Sequence, residues 1–415
     1  MKMLFVDPET KANTNVPNIG LAYISSGLKE DHIIVDQTTR PFPKDRFLAI
    51  KADWFGVSTK LNTYHEAVRI SKLYKEKYPE AKIVWGGPQI SCAFERIKAE
   101  NPGVELFAGE WDSKKDLDSL PFPDFSKFDS FQALVKGWST GRRHYPIVTS
   151  RGCPYGCTYC ASHIISGRVW RARSAKNCFD ELKLAKEKFN IRSFEILDDS
   201  FNVDKERVIE FCSLIKPLKL TWFCSNGIRA DRLDEDAAKA MSDAGCKFVS
   251  FGIESADPEV LKAIKKGETI DQIESAVDVA EKYFKSVNGY FIIGLPKSSY
   301  EKDLASLKWA LDRGIMACFS FLVPFEGTEI REGSYKDETY EDALFSGEGA
   351  HPISGAYPKE LQMRIFKMTE YMRGITKKNV LRKILISFGG IIKYEPTTLP
   401  AHIFSGVDKL KRKFL

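Results

Sequence analysis

Apolar residues in the first 110 positions of the chain follow two different spacings. Short continuous apolar runs predict buried strands, and stretches in which apolar residues recur every three or four positions predict amphipathic helices. The runs predict strands at residues 3–6, 32–35, 54–58, 81–85 and 106–108. The helical spacing predicts helices at residues 19–29 and 65–78. This alternation predicts an α/β fold for residues 1–130, with a doubly wound, Rossmann-like parallel sheet.

The same alternation resumes near residue 145 and continues to residue 330. Strands are predicted at residues 146–148, 193–197, 221–224, 248–253, 289–293 and 317–323. Helices are predicted at residues 174–188, 205–215, 235–244, 269–284 and 300–313. Six strand–helix units predict an open (β/α)6 domain, which is a partial TIM barrel. In both predicted domains, ligands are expected at the carboxyl ends of the strands.

Two other segments complete the domain organisation. The sequence LPFPDF at residues 120–125 breaks regular structure and predicts an interdomain linker. Residues 331–415 are predicted to form a C-terminal helical region with helices at 359–376, 378–388 and 407–414. These C-terminal helices fit either a lid that reads an acidic or macromolecular substrate, or a packed cap with a solvated basic face.

Composition and charge narrow the class of protein. The chain is 43% hydrophobic and 28% charged, which is ordinary for a globular protein, and its net charge of +6 is concentrated after Arg364. It has no 18-residue apolar run and no export signal, so we expect a cytoplasmic protein without a membrane partner. Nine cysteines then indicate free thiols rather than disulfides. Basic and aromatic residues interleave too sparsely to indicate nucleic-acid binding, and a monomer is expected.

Three cysteines lie close together in a loop rich in Gly and Pro. Cys153, Cys157 and Cys160 have the spacing C-x3-C-x2-C. Three thiolates can bind three irons of a four-iron cluster and leave one iron open to an exchangeable ligand. The alternative is a zinc site completed by His163. A protein with that site, or with a purely structural cluster, would bind a partner without catalysis.

This loop, with Tyr159 beside its last cysteine, resembles the cluster loop of the radical S-adenosylmethionine (radical SAM) enzymes. The resemblance implies a [4Fe-4S] cluster whose open iron chelates the amino and carboxylate groups of S-adenosylmethionine (SAM). It also implies reductive cleavage of SAM to a 5'-deoxyadenosyl radical, with an electron from a flavodoxin- or ferredoxin-type donor. An exposed cluster of this kind further implies anaerobic conditions.

Polar residues at the predicted strand ends occur in the order in which the resembled family binds SAM. The resemblance implies that Asp198 and Asp199 accept from the methionine ammonium, that Glu254 and Ser255 hold the ribose, and that Arg229 pairs with the carboxylate. The complete implied SAM set is Tyr159, Asp198, Asp199, Asn226, Arg229, Glu254, Ser255, Gly294 and Pro296. Either Asp198 or Asp199 could instead cap the next helix. Arg171 and Arg173 fit contacts with a carboxylate or a cluster sulfur, or a solvated basic turn.

The first domain resembles the cobalamin-binding domain that precedes the barrel in one radical SAM subclass. The resemblance is carried by residues 17–28, 56–59 and 84–89. It implies cobalamin binding by Asp7, Pro17, Asn18, Ser58, Thr59, Gly86, Gly87, Pro88, Gln89, Gly109 and Glu110. The sequence lacks the motif D-x-H-x-x-G, so it offers no histidine as a lower cobalt ligand. The alternative is a Rossmann-like domain with a structural role only.

Taken together, the resemblance implies a cobalamin-dependent radical SAM C-methyltransferase. One SAM methylates cob(I)alamin, and the radical from a second SAM takes hydrogen from an unactivated carbon, which then receives the methyl group. A peptide or protein substrate is expected, such as a residue of methyl-coenzyme M reductase, although a small molecule stays open. Alternatives in the same class are a cyclase, oxidase or rearrangement enzyme with or without cobalamin. A methylthiotransferase fits less well, because the first domain contains only Cys92.

Overall fold

The structure is a computed structural model, and it describes residues 1–9, 17–37, 45–110, 116–129, 144–333, 335 and 352–373. The helices predicted at residues 378–388 and 407–414 lie outside these described residues. Within them, no helix is long and apolar enough to cross a membrane.

The first domain is a five-stranded parallel sheet flanked by helices, as predicted. Its strands are β1 (Lys2–Asp7), β2 (Asp31–Asp36), β3 (Trp54–Ser58), β4 (Lys82–Gly86) and β5 (Glu105–Leu106). They lie in the order β2-β1-β3-β4-β5, with every pair parallel. Its α-helices are α1 (Ile19–Gly27), α2 (Tyr64–Lys77), α3 (Pro88–Cys92) and α4 (Phe94–Glu100).

Aromatic packing holds α2 against this sheet. The rings of Phe55 on β3 and Tyr74 on α2 stack with centroids 4.0 Å apart. The Trp85 indole is buried and donates to Ser71 Oγ at 2.8 Å. Burying such side chains contributes roughly 1.5–3 kcal/mol each. This packing fixes strands β3 and β4, whose carboxyl ends carry several of the predicted cobalamin residues.

The second domain is a six-stranded parallel sheet with strands in consecutive order along the chain, as the predicted partial barrel requires. The two short strands β7 (Ser150–Arg151) and β8 (Arg171–Ala172) form a separate antiparallel pair beside it. The strands of the main sheet are β6 (His144–Ile147), β9 (Ser193–Ile196), β10 (Thr221–Ile228), β11 (Cys246–Glu254), β12 (Ser286–Ile293) and β13 (Met316–Phe321).

Helices cover one face of this sheet. The helices of this domain are α5 (Ser162–Ile165), α6 (Ala175–Phe189), α7 (Lys205–Ile215), α8 (Glu235–Asp243), α9 (Pro258–Ala263), α10 (Ile270–Tyr283), α11 (Tyr300–Arg313) and α12 (Glu329–Glu332). The short helices α5 and α12 follow the cysteine loop and β13 and do not belong to this layer. Phe291 on β12 contacts Trp309 on α11, so alternate residues of β12 face the helices. The next residue, Tyr290, instead donates to the Ser225 carbonyl at 2.5 Å and lies 3.2 Å from Ser250 Oγ. The other face of the sheet therefore carries polar groups, together with the rings of Phe223 and Phe248, whose centroids lie 6.4 Å apart.

The predicted linker at residues 120–125 leads into a packed connection between the domains. Phe125 is buried, and its ring contacts that of Tyr145 at 5.6 Å. The Lys127 carbonyl accepts from the Ile34 N–H at 2.9 Å, and the Ile34 carbonyl accepts from the Asp129 N–H at 2.9 Å. The connection thus runs alongside β2 and ties the first domain to the start of the barrel.

The described C-terminal segment packs against the last strands of the barrel. Helix α13 (Lys359–Arg373) starts where the sequence predicts. Its Phe366 ring lies 4.8 Å from that of Phe321 on β13, and Gln362 Nε2 donates to the carbonyls of Ile353 and Tyr357. This segment therefore covers the β13 edge rather than standing apart from the barrel.

Candidate active site

The cysteine loop is held to its neighbours on both sides. Gly152 has φ +82°, and a Cβ there would overlap the Val169 carbonyl oxygen, so this position requires glycine. The Cys153 N–H donates to the Gly167 carbonyl at 3.2 Å, and the Thr158 N–H donates to the Ile264 carbonyl at 3.0 Å. These bonds place the loop between the β7–β8 pair and the segment after α9.

The three thiols of the loop are free and half-buried. Burial raises the pKa of Cys153, and it raises the pKa of Cys157 to about 11. Cys160 lies close enough to both thiols for its charge to add to these increases, while Arg229 acts against them. Three neighbouring thiols on one loop fit a cluster with three protein ligands.

The loop cysteines and His163 do not converge on one common point in this structure, which therefore does not decide between an iron–sulfur cluster and the alternative zinc site. Among the described residues, which include His163 and all three loop cysteines, no three Cys, His, Asp or Glu side chains are grouped closely enough for one metal ion. The Cys160 thiol instead donates to Ser162 Oγ at 3.3 Å. A zinc ion would need its four ligands at about 2.0–2.3 Å from one point.

Asp198 and Asp199 have different surroundings. The buried Asp198 carboxylate accepts from the Thr149 N–H and hydroxyl at 2.6 Å each and from the Ser150 hydroxyl at 2.7 Å. Asp199 is exposed and accepts from Ser162 Oγ at 3.1 Å, beside Cys160. Neither caps the next helix, because the N-cap of α7 is Asp204. Asp198 thus anchors the strand that leads into the cysteine loop, and the contact of Asp199 with the methionine ammonium stays a prediction.

Asn226 and Arg229 also differ in accessibility. Asn226 is exposed, and its Nδ2 donates to the Leu197 carbonyl at 3.0 Å. Arg229 is buried and forms a bidentate pair with Asp231 at 2.8 and 3.0 Å. The contact of Arg229 with the methionine carboxylate stays a prediction, and it would require the guanidinium to leave these partners.

Glu254 has an unusual backbone conformation at the end of β11. Its φ is +65°, next to a register shift between β11 and β12, and such strain costs about 1–3 kcal/mol for a residue other than glycine. Its carboxylate accepts from the buried Lys266 ammonium at 3.1 Å. Burial raises the pKa of Tyr159, and the Glu254 charge raises it further, which puts Glu254 beside the cysteine loop. Lys266 is a site residue that the sequence does not predict, because its one signal is the run KKGE after α9.

The remaining predicted SAM residues lie at the same sheet edge. Ser255 is buried; its hydroxyl lies 3.4 Å from Ser306 Oγ and accepts from the Asp257 N–H at 3.2 Å. Gly294 is buried with φ +86°, and a Cβ there would lie 3.2 Å from Gln362 and Ile353 of the C-terminal segment. Pro296, two residues further along the same turn, is half-buried. The bare backbone of Gly294 thus faces protein, so its predicted contact with adenine stays a prediction.

Polar side chains at the carboxyl edge of the first sheet bond to one another. Asn18 Nδ2 donates to Asp7 at 3.0 Å and to Ser58 Oγ at 2.8 Å, and the Lys60 ammonium lies 3.0 Å from Asp7. Pro17, just before Asn18, is buried. This bonding holds the edge in a preformed arrangement.

The sequence Gly86-Gly87-Pro88-Gln89 forms a tight turn at the same edge. Gly87 has φ +102°, and a Cβ there would lie 2.7 Å from the Thr59 carbonyl oxygen, so only glycine fits. The Thr59 N–H donates to the Gly86 carbonyl at 2.7 Å, and the N–H of the buried Gln89 donates to the Thr59 carbonyl at 3.1 Å. Thr59 Oγ1 is buried without a hydrogen-bond partner among the described residues. An unpaired hydroxyl beside a backbone cradle fits a polar ligand.

The two sheet edges meet. Helix α3, which begins at Pro88, packs against helix α5, which follows the cysteine loop. Exposed Gly109 donates its N–H to Ser91 Oγ at 2.8 Å, and Glu110 forms an ion pair with Arg171 and lies 3.7 Å from Arg151 of the second domain. Glu110 is therefore a link between domains, and Arg171 is not a solvated residue.

Arg173 forms a second link between the domains. It lies 2.5 Å from Glu181 and donates to the Tyr23 hydroxyl of α1 at 3.2 Å. Tyr145 also donates to Glu181, at 2.8 Å. Sequence spacing gives no signal for the contact between the domains, because Arg173 and Tyr23 lie 150 positions apart along the chain.

Comparisons with known proteins agree with this site. Residues 147–326 match the family model of the Radical SAM superfamily. The chain therefore carries a radical SAM domain, and such a domain implies SAM and a [4Fe-4S] cluster. This match confirms the radical SAM resemblance predicted for the second domain.

Particular relatives are named as methyltransferases. An uncharacterized methyltransferase of Pyrococcus horikoshii is 29% identical over 80% of this chain and 83% of its own length. Cytidylyl-2-hydroxyethylphosphonate methyltransferase of Streptomyces wedmorensis is 30% identical, over 52% of this chain and 43% of its own length. The chain thus spans most of the first relative but less than half of the second.

Solved structures confirm the predicted fold. The radical SAM methyltransferase TsrM of Kitasatospora setae matches with a TM-score of 0.67 at 17% identity, over 81% of this chain and 77% of TsrM. The cobalamin-dependent SAM radical enzyme OxsB matches with a TM-score of 0.58 at 18% identity, over 90% of this chain and 62% of OxsB. Both matches extend well beyond the radical SAM domain.

Proposed function

We propose that the protein is a cobalamin-dependent radical SAM C-methyltransferase. The observation that carries this proposal is the packing of α3 against α5, because it brings the Gly87 turn of the first sheet to the cysteine loop of the second. Methyl transfer to a carbon radical needs such an arrangement, with both reactive groups reaching one substrate. Relatives named as methyltransferases, and the fold shared with TsrM and OxsB, support it.

The residues present fit all three bound groups. Cys153, Cys157 and Cys160 would hold the cluster. Asp199, Asn226 and Glu254, with Tyr159 beside them, would bind the polar groups of SAM. The first-sheet edge, from Asp7, Asn18 and Ser58 to the turn at Gly86–Gln89 and on to Gly109 and Glu110, would bind cobalamin around the unpaired Thr59 hydroxyl. Bound SAM and cluster would supply one-electron hydrogen abstraction, and bound cobalamin would supply the methyl group.

The protein's own contribution is then to orient the substrate and exclude water. Well-oriented reactants can gain about 7–11 kcal/mol over free ones. Two domains, 1–130 and 145–330, would enclose the substrate between their edges, and the C-terminal region 331–415 would close the barrel side. The packed domain interface around Glu110 and Arg173 would keep the distance between the edges constant. A peptide or a small molecule with an unactivated carbon is the proposed substrate class.

Cobalt content tests this proposal directly. The protein would be expressed with hydroxocobalamin, purified anaerobically, and analysed for cobalt and iron. We expect near-stoichiometric cobalt, and transfer of a CD3 group from labelled SAM to the bound cobalamin. Full iron with no cobalt would contradict the proposal and favour a radical rearrangement or oxidation.

Two glycine variants supply a matched control. Gly87→Ala would press a methyl group against the Thr59 backbone, whereas a Cβ at Gly103 meets nothing within 4 Å. We expect Gly87→Ala to lose cobalt while keeping iron, and Gly103→Ala to keep both metals. Equal cobalt in the two variants would argue against cobalamin at this edge.

A further inference from the structure

The Arg229 guanidinium is fixed in the protein by several acceptors. Besides the bidentate pair with Asp231, it donates to the carbonyls of Lys266 and Gly267 at 2.9 and 3.3 Å. Its side chain is only 9% exposed. A buried arginine with this many partners has one orientation, which suits it to position another group rather than to follow a ligand.

The loop that carries Arg229 is fixed as well. The Glu268 carboxylate is buried and accepts from the Ala230 N–H at 2.7 Å and from the Asp231 N–H at 3.2 Å. The Asn202 side chain accepts from the Arg229 N–H at 3.0 Å and donates to the Arg229 carbonyl at 2.8 Å. The backbone of residues 229–231 is therefore fixed by these hydrogen bonds.

Tyr155 of the cysteine loop lies against the Arg229 guanidinium. Arg229 Cζ lies 3.7 Å from the centre of the Tyr155 ring. Tyr155 is midway between Cys153 and Cys157 in the sequence. Its hydroxyl is buried and has no hydrogen-bond partner among the described residues, so its side chain is held by the ring face, while its backbone carbonyl accepts from Arg168 at 3.2 Å.

We propose that Arg229 is a positioning residue that clamps the cluster loop through the ring face of Tyr155, and that its fixed positive charge raises the reduction potential of the bound cluster. A guanidinium shielded from water interacts strongly with an aromatic face. A positive charge near an iron–sulfur cluster favours the reduced form, because reduction adds a negative charge. The inference rests on the radical SAM domain and does not require cobalamin or methyl transfer.

Because Asp231 carries the opposite charge, replacing Arg229 and replacing Asp231 should shift the midpoint potential of the cluster in opposite directions. Arg229→Gln removes the positive charge and should lower the midpoint potential of the cluster. Asp231→Asn removes one of the two countercharges of the guanidinium, leaving Glu268 Oε1 at 3.7 Å from Arg229 Nε, and should raise the potential. Arg229→Lys keeps the charge without the flat stacking surface, so its potential should stay nearer to wild type than that of Arg229→Gln. A residue that only stabilised the fold would not shift the potential in opposite directions.

Tyr155 supplies the matched pair for the clamp itself. Tyr155→Leu removes the ring, whereas Tyr155→Phe keeps the ring and removes only the unpaired hydroxyl. Loss of a desolvated cation–π contact should speed iron loss by on the order of tenfold in Tyr155→Leu. Tyr155→Phe should lose iron at the wild-type rate.

The experiment uses the full chain, reconstituted anaerobically with iron and sulfide. Iron release to excess EDTA is followed by visible absorbance, the midpoint potential by an EPR-monitored titration, and folding by circular dichroism. We expect faster iron release from Arg229→Gln and Tyr155→Leu, with the potential shifts of opposite sign described above. If Arg229→Gln fails to fold, the two Tyr155 variants and Asp231→Asn carry the test.

Other results would overturn the inference. If Tyr155→Leu releases iron at the wild-type rate, Tyr155 does not hold the cluster loop. If both Tyr155 variants release iron faster than wild type and at equal rates, the hydroxyl rather than the ring has the role. An Arg229→Gln variant with the wild-type potential but weaker SAM binding would make Arg229 a SAM ligand instead. Cobalt content and methyl transfer are measured separately, so failure of the proposed function is distinguishable from failure of this inference.

Discussion

The Tyr357 hydroxyl donates to the Asp303 carboxylate at 2.6 Å, and this bond ties the C-terminal segment to helix α11. The same carboxylate accepts from the Ser298 hydroxyl at 2.5 Å and from the Gly294 N–H at 3.2 Å. Burial raises the pKa of Asp303 to about 6 despite these three donors. One titrating group thus joins the Gly294 turn, helix α11 and the C-terminal cover.

Stability should therefore depend on pH through Asp303. Its folded pKa lies above its unfolded value of 3.8, so its contribution is full below pH 3.8 and is lost as the pH rises through about 6. The change amounts to about 3 kcal/mol at most between pH 4 and pH 8. Urea unfolding of wild type and Asp303→Asn at several pH values measures it. The pH dependence should be weaker in the variant, and the exposed substitution Asp271→Asn should leave it unchanged.

Loss of one loop cysteine should abolish iron binding. In Cys157→Ala the cluster would keep two protein ligands, so we expect loss of iron and of reductive SAM cleavage. The measurements are iron content and 5'-deoxyadenosine formation after anaerobic reduction. Cys318→Ala, which removes a half-buried thiol on β13, serves as the control and should keep both. A Cys157→Ala variant that still cleaves SAM would remove the cluster assignment.

Glu254 should need the small residue two positions before it. A Cβ at Gly252 would lie 2.7 Å from Glu254 Oε1 and 3.1 Å from Lys266 Nζ. Gly252→Ala should displace the carboxylate and weaken SAM binding by about tenfold, close to the effect of one lost charge-assisted hydrogen bond. Equilibrium dialysis with SAM checks this, with Gly103→Ala as the open-space control. Unchanged affinity would exclude Glu254 from the SAM site.

The Glu110–Arg171 ion pair should couple the two domains. The two side chains are 13% and 21% exposed, so little water screens them. A double-mutant cycle with Glu110→Ala and Arg171→Ala should give a coupling free energy of about 1–3 kcal/mol in unfolding experiments. The exposed pair Lys176–Asp180 on α6 is the control and should give at most about 0.5 kcal/mol. Equal coupling energies for the two pairs would show that Glu110 does not join the domains.

The sequence predicted most long elements because each carries an uninterrupted periodic pattern. Helix α7 and helix α11 were predicted at their observed bounds, and strand β3 likewise. The short helices α3, α4 and α9 were missed, since five to seven residues hold too few turns for a pattern to emerge. The short β7–β8 pair was missed for the same reason.

The structure places the candidate site residues at strand ends, but the sequence does not predict their hydrogen-bond partners. The Asp198 carboxylate accepts hydrogen bonds from Thr149 and Ser150, which lie almost fifty positions earlier in the chain. The Arg229 guanidinium donates hydrogen bonds to the carbonyls of residues 266 and 267. Sequence pattern indicates which residues reach an edge, whereas packing across the edge decides which of them stay free for a ligand.

The bonds between Ile34 and residues 127 and 129 have a consequence for the behaviour of the protein in concentrated solution. Strand β2 is an edge strand of its sheet. An uncovered edge strand presents unpaired N–H and C=O groups that can pair with a strand of another molecule. The interdomain connection occupies part of that row. It therefore protects the first domain from edge-to-edge aggregation, and proteolytic cleavage within residues 120–129 should promote self-association before it affects the barrel.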